Sequence, residues 1–280
     1  MIVQITQTRN ELYLVKEMLP LWQKYADGFV FLDDHSDDGT SEFLEEHKDE
    51  YNILAVLKTE GPGAATYAES GGRQRLFDEA LKHSGNIICM DSDEYLDGNT
   101  NKAQLEHLLE SNPDTLIYLR WVQYTGKDRI RVDGPWRENY KDRIGSYSKP
   151  TKFKDATMHA EHIPHPGKHG VVGVPDLFIA HLQWLDKPTV AVKQYYWKIA
   201  DYVNNKKYKI ETTPASAYDE SVANFEWEYE DFSFPLKVDP EIYSTQDLKE
   251  SYKNKFIKNS IKKYDIPNLN DWGMEIHDSK

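Results

Sequence analysis

Short apolar runs alternate with stretches of helical spacing over the first 120 residues, and few architectures accommodate that order. Residues 2–5, 29–32, 53–57, 87–90 and 116–119 are apolar nearly throughout, as buried strands require. Between them, Leu12, Val15, Leu19 and Trp22 recur at helical spacing, and so do Leu76, Phe77, Ala80 and Leu81. Phe43 with Leu44, and Ala103 with Leu105, Leu108 and Leu109, mark two further helices. Strand and helix in alternation, joined by short connections, predict an α/β fold: a mostly parallel sheet flanked by helices on both faces. Such a sheet receives ligands at the carboxyl ends of its strands, beside the point where strand order reverses. The polar residues that follow each apolar run therefore carry the most information.

Composition narrows the classes of partner. Across 280 residues the formal net charge is −13, which argues against a nucleic-acid binder, because a phosphate backbone is held by surplus Lys and Arg. The single cysteine, Cys89, excludes an internal disulfide and makes a Cys-rich zinc module a poor fit. No run approaches the roughly 18 apolar residues of a membrane span, and the first residues lack the pattern of a secretory leader. A cytoplasmic location is the expectation; the oligomeric state is not encoded in these patterns. Residues 1–186 read as the catalytic unit and 187–280 as a helical, aromatic-rich extension. Val192, Tyr195, Tyr196 and Ile199 give its first helix an apolar stripe.

Two acidic segments stand directly after predicted strands. Asp91-Ser92-Asp93-Glu94 follows residues 86–90, and carboxylates spaced in this way can approach a hard cation that keeps sites open for phosphate oxygens. Asp33-Asp34-His35-Ser36-Asp37-Asp38-Gly39-Thr40 follows residues 29–32. A carboxylate there can accept from a base imide or from ribose hydroxyls, and Thr40 or Ser41 can cap the next helix. The second segment also matches the ligand spacing of a calcium-binding EF-hand loop, but the run before it is β-type where that motif needs a helix.

These residues together are similar to the GT-A glycosyltransferases, and most closely to their family 2-like group, which includes lipopolysaccharide-core and polysaccharide enzymes. The resemblance rests on four motifs in order: Thr8-Arg9-Asn10-Glu11 after the first strand, the Asp33 to Thr40 segment, Gly71-Gly72-Arg73-Gln74-Arg75 before a helix, and Asp91-Ser92-Asp93-Glu94. It covers residues 1 to about 185. It implies a nucleoside diphosphate sugar donor, UDP-sugar favoured, a Mn2+ or Mg2+ ion, and a glycan or lipid-linked glycan acceptor. By position, Asp34 would hold the base, Thr6 and Thr8 would border the nucleoside, and Asp91 would lie near ribose and metal. Asp93 and His181 would ligate the metal, and Arg73, or else Arg75, would face the nucleotide with its fork of donors.

Glu161, in Met158-His159-Ala160-Glu161-His162, would be the general base of an inverting displacement, with Asp155 and Asp176 as alternatives. Two departures from the family stand out: one extra residue separates His159 from Glu161, and Leu182 stands where a Tyr is usual. His159, His162, His165 and His169 admit a zinc reading, although Pro164, Pro166 and Gly167 make the segment a loop whose spacing fixes no geometry. Arg129, Arg131, Trp136 and Arg137 lie where the acceptor side would be built. A nucleotidyltransferase with a related core is the rival enzyme, yet the loop after the first strand has no glycine to cradle a phosphate. A non-catalytic sugar-binding protein of the same fold is the third reading.

Overall fold

A computed structural model describes residues 1–61, 69–156, 160–167, 171–208, 226–245, 247 and 251–264. The chain opens with β1 (Val3–Thr8), α1 (Leu12–Trp22), β2 (Gly28–Asp33), α2 (Thr40–Glu46), the short α3 (Lys48–Tyr51) and β3 (Ile53–Lys58). It continues through α4 (Glu69–Ala80), β4 (Asn86–Cys89), β5 (Glu94–Gly98), α5 (Lys102–Ser111), β6 (Leu116–Gln123) and β7 (Arg129–Arg131). β8 (Tyr140–Ser146), β9 (Val171–His181), α6 (Lys187–Tyr208), β10 (Tyr229–Asp231) and α7 (Tyr252–Tyr264) complete it.

Eight strands form one sheet in the order β3-β2-β1-β4-β8-β6-β9-β5. The β1–β2, β2–β3, β1–β4 and β6–β9 pairs are parallel, and the β4–β8, β6–β8 and β5–β9 pairs are antiparallel. The chain steps outward from β1 to β3 and then returns through α4 to lie on the other side of β1 as β4. That reversal opens a crevice at the carboxyl ends of β1 and β4, where a ligand fits without crossing a connection.

Alternation along the strands sorts the core. Phe29 and Phe31 face α1, where Leu14, Val15, Met18, Leu19 and Trp22 meet them. Val30, Leu32, Val3 and Ile5 face α4 and pack on Leu76, Phe77 and Ala80. A third cluster joins α5, through Leu105 and Leu109, to Ile88, Met90, Ile117 and Ile144. Each such side chain contributes about 1.5–3 kcal/mol when fully buried.

The extension folds back onto this frame. Leu236, Val238, Ile242 and Tyr243 lie in the same core as α1, and β10 pairs antiparallel with β7. α6 and α7 pack through Tyr196, Ile199, Phe256 and Ile257.

Candidate active site

Three carboxylates leave the turn between β4 and β5 in different directions. The turn is tight, since the Glu94 N–H donates to the Asp91 carbonyl at 3.1 Å. The Glu94 side chain is wholly buried, where it accepts from Arg143 Nη2 at 2.6 Å and Trp121 Nε1 at 2.8 Å. Burial pushes its carboxyl up, with the Arg143 charge opposing. Asp91 accepts from the same Arg143 nitrogen at 3.2 Å, and His162 Nε2 stands 3.8 Å from it. Burial pushes Asp91 up as well, but Arg143 and Arg73 outweigh that and hold it below its ordinary value.

Asp93 points the other way. Its Oδ2 lies 2.7 Å from Lys193 Nζ on α6 and 3.5 Å from His181 Nε2. Burial raises this carboxyl, and Lys193 and His181 together hold it well below the usual range. The β5–β9 register explains the place of His181, because it pairs with Glu94 across the ladder. Its ring stacks on Trp121 at 4.5 Å between centroids, and Nδ1 meets Gln123 Oε1, which leaves Nε2 turned toward Asp93.

The trio expected to hold a divalent ion is thus split. Asp93 and His181 offer two donors side by side, Asp91 is engaged by Arg143, and an ammonium already sits on Asp93. Among the described residues no three His, Cys, Asp or Glu side chains group closely enough to hold an ion. Mg2+ in nucleotide sites is held by one or two carboxylates together with phosphate oxygens and water, so an ion here would share Asp91 and Asp93 with the cations they already meet.

On the β1 and β2 side, Asp34 is buried and accepts from Arg9 Nη1 at 3.2 Å, and its N–H donates to the Thr8 carbonyl at 2.9 Å. Thr6 and Thr8 are buried beside it, with Gln4 Nε2 donating to Thr6 Oγ1 at 3.2 Å. The Arg9 guanidinium lies 4.6 Å over the ring of Tyr252 on α7. Asp38 accepts from the Leu12 N–H and from Thr40, and Asp37 accepts from the Asn10 amide. These contacts tie the segment to α1 and leave no calcium loop. Gly39, in the left-handed region at φ +91°, is the N-cap of α2 and makes no side-chain cap, so neither Thr40 nor Ser41 caps the helix; Asp38 Oδ1 accepts from the Thr40 N–H at 3.0 Å.

The two arginines of the α4 motif part company. Arg73 is buried, pairs with Glu69 at 2.8 Å and reaches Cys89 Sγ at 3.6 Å. Arg75 faces outward to Glu60 at 3.4 Å and the Lys58 carbonyl at 3.0 Å. Burial pushes the Cys89 thiol up to about 11, so it is an inert core residue. Glu161 pairs with Lys154 at 2.9 Å and does not line the cavity described below. His159 and His169 lie outside the described residues. Arg131 is buried and bidentate to Asp133, Arg129 lies over Tyr229, and Arg137 pairs with Glu230.

A cavity of about 380 Å³ opens beside Asp93, walled by Glu11, Lys193, Tyr243, Tyr252 and Lys253 among others. Burial raises the Glu11 carboxyl, with Lys253, 3.9 Å away, opposing. The sequence reading missed Arg143, Lys193, Tyr252 and Lys253. Lys193 carried one signal, since it interrupts the apolar stripe of α6 between Val192 and Tyr196. Arg143 carried another, as a charge within a run that becomes a buried strand.

No protein-family model matches the chain, and no curated protein matches it. Solved structures align with it at low identity. S. aureus TarS 1-349 in complex with UDP is 14% identical over 80% of this chain and 70% of its own, with a TM-score of 0.42. The mannosyltransferase PcManGT from Pyrobaculum calidifontis, in complex with GDP-Man and Mn2+, is 12% identical over 95% of this chain and 75% of its own, with a TM-score of 0.43. At that level of likeness, function has to be read from the residues of this chain.

Proposed function

We propose that the chain is a GT-A-type glycosyltransferase that moves a sugar from a nucleoside diphosphate donor to a hydroxyl of a glycan or lipid-linked glycan. One observation carries this reading: Asp34, Asp91 and Asp93 leave the ends of β2 and β4 around the switch point, with His181, Arg143 and the cavity beside them. Asp34 and Asp91 are suited to accept from a base imide and from ribose hydroxyls. UDP is the favoured nucleotide. Attack of the acceptor hydroxyl on the anomeric carbon forms the new C–O bond as the bond to the diphosphate breaks. The diphosphate leaves with the electron pair, and a carboxylate takes the hydroxyl proton. Attack opposite the leaving group inverts the anomeric centre.

The resemblance assigns that carboxylate to Glu161. Glu11, on the cavity wall and with its proton affinity raised by burial, competes for the role. No helix among the described residues is long and apolar enough to cross a membrane. A cytoplasmic setting suits a chain whose single cysteine is free and buried.

The test is nucleoside diphosphate release from a panel of UDP- and GDP-sugars by the full chain, followed by transfer to glycan acceptors. Asp93→Asn should lower turnover by about a hundredfold or more, the usual effect of removing a group that organises developing charge. Full activity of that variant sinks the site. Glu161→Gln should keep nucleotide binding and lose transfer. If turnover survives there and disappears in Glu11→Gln, the base is Glu11.

A further inference from the structure

We infer that Lys193, with Lys253 behind it, does the work expected of a divalent ion: the extension carries ammonium groups that bind the donor diphosphate, so nucleotide binding proceeds without metal. The inference rests on the transferase reading above and specifies how that site holds its donor. Lys193 Nζ lies 2.7 Å from Asp93 Oδ2, on the face of Asp93 that borders the cavity, and its side chain keeps 20% exposure. An ammonium has three donors, and one held by Asp93 leaves two for phosphate oxygens. Lys253 lines the same cavity, loosely paired with Glu11 at 3.9 Å.

The charges around the turn after β4 are answered from within the protein. Arg143 serves Asp91 and Glu94, and Lys193 serves Asp93. On the opposite wall, Asp37 and Asp38 are spent on Asn10, the Leu12 N–H and Thr40. A diphosphate entering beside Asp93 therefore meets two ammonium groups; the carboxylates of Asp37, Asp38 and Asp247 line the same cavity, so the phosphates must sit at Lys193 and Lys253. A bound ion would have to use the other oxygens of Asp93 and Asp91, whose Oδ2 atoms meet Lys193 and Arg143, and would stand beside both of those positive charges.

Isothermal titration with UDP and with GDP distinguishes the cases, run on the full chain in excess EDTA and again in Mn2+. The wild-type protein should bind one of the two in EDTA, with little gain on adding Mn2+. Lys193→Met should weaken that EDTA affinity by about tenfold to a hundredfold, the worth of a charge-assisted contact. Lys193→Arg, which keeps the charge, should recover most of it, and Lys253→Met should show a smaller loss. Binding that requires Mn2+ and ignores Lys193→Met overturns this inference while leaving the transferase reading intact. Failure of both nucleotides to bind in either buffer removes the transferase reading and this inference with it. The wild-type EDTA titration decides the matter even if Lys193→Met does not fold.

Discussion

Arg143 is the residue on which the strand-end acids depend. It is 1% exposed and donates one nitrogen to both Asp91 and the wholly buried Glu94. A buried charge stripped of its partner is costly, because neither water nor a counter-ion is there to replace it. Arg143→Met should therefore destabilise the protein by about 3–5 kcal/mol in urea unfolding at neutral pH. Adding Glu94→Gln should recover part of that loss, since the two sites are coupled through one hydrogen bond. A single variant as stable as wild type would mean that Glu94 carries no charge for Arg143 to balance. Asp34, Asp91 and Asp93 were legible in the sequence because each follows an apolar run at a strand end. Arg143 and Lys193 were not, because what brings them there is pairing with β4 and packing of α6.

Between elements, the join of β7 to β10 is held by an arginine enclosed in indoles. Arg131 lies 4.3 Å from the ring centroid of Trp184 and 5.2 Å from those of Trp136 and Trp227, and donates twice to Asp133 at 2.7 and 2.6 Å. These three rings come from the segment after β7, the turn after β9 and the extension. Arg131 and Trp136, which the sequence reading offered to an acceptor, are thus engaged with each other, while Arg129 lies over Tyr229 and Arg137 pairs with Glu230. Burial pushes the Asp133 carboxyl up, and the Arg131 hydrogen bonds and charge outweigh it and hold it below the ordinary value. With its folded value depressed, this contribution is present above the unfolded value of about 4 and is lost as pH falls through the folded one. Asp133→Asn should cost about 1–2 kcal/mol at pH 7. The gap from wild type should close as unfolding is repeated toward pH 3; a gap independent of pH would show that the pair is not what holds Arg131.

For the whole molecule, the extension is part of the core. Leu236, Val238, Ile242 and Tyr243 fill space against α1, and by the area rule four such side chains contribute at most about 6–12 kcal/mol. That is comparable with the whole stability of a typical domain, about 5–15 kcal/mol. A chain ending at residue 186 should accordingly lose its cooperative thermal transition and near-ultraviolet circular dichroism. A sharp transition near that of the full chain would show the extension to be separable. The net charge of −13 belongs to this scale too. Seven carboxylates, Asp33, Asp34, Asp37, Asp38, Asp91, Asp93 and Glu94, stand at or after two strand ends, where an anionic nucleotide needs positive charge beside them. In the fold, Arg143, Lys193, Arg9 and Lys58 each meet one or more of them.

The sequence by itself determined the α/β alternation, the strands that carry the acids and the end of the sheet at which they sit. Those features depend on local periodicity and on the polar residue next to each apolar run. β5 was not foreseen, since a short edge strand with an acidic start has no period to read. The counter-charges of the acids, the wall that α6 and α7 give the cavity and the contacts of Arg73 and Arg131 were decided by tertiary structure alone. A carboxylate's protonation, its partner and its reach toward an ion depend on which distant element packs against it. Here α6, more than 90 residues further along the chain, places Lys193 on Asp93.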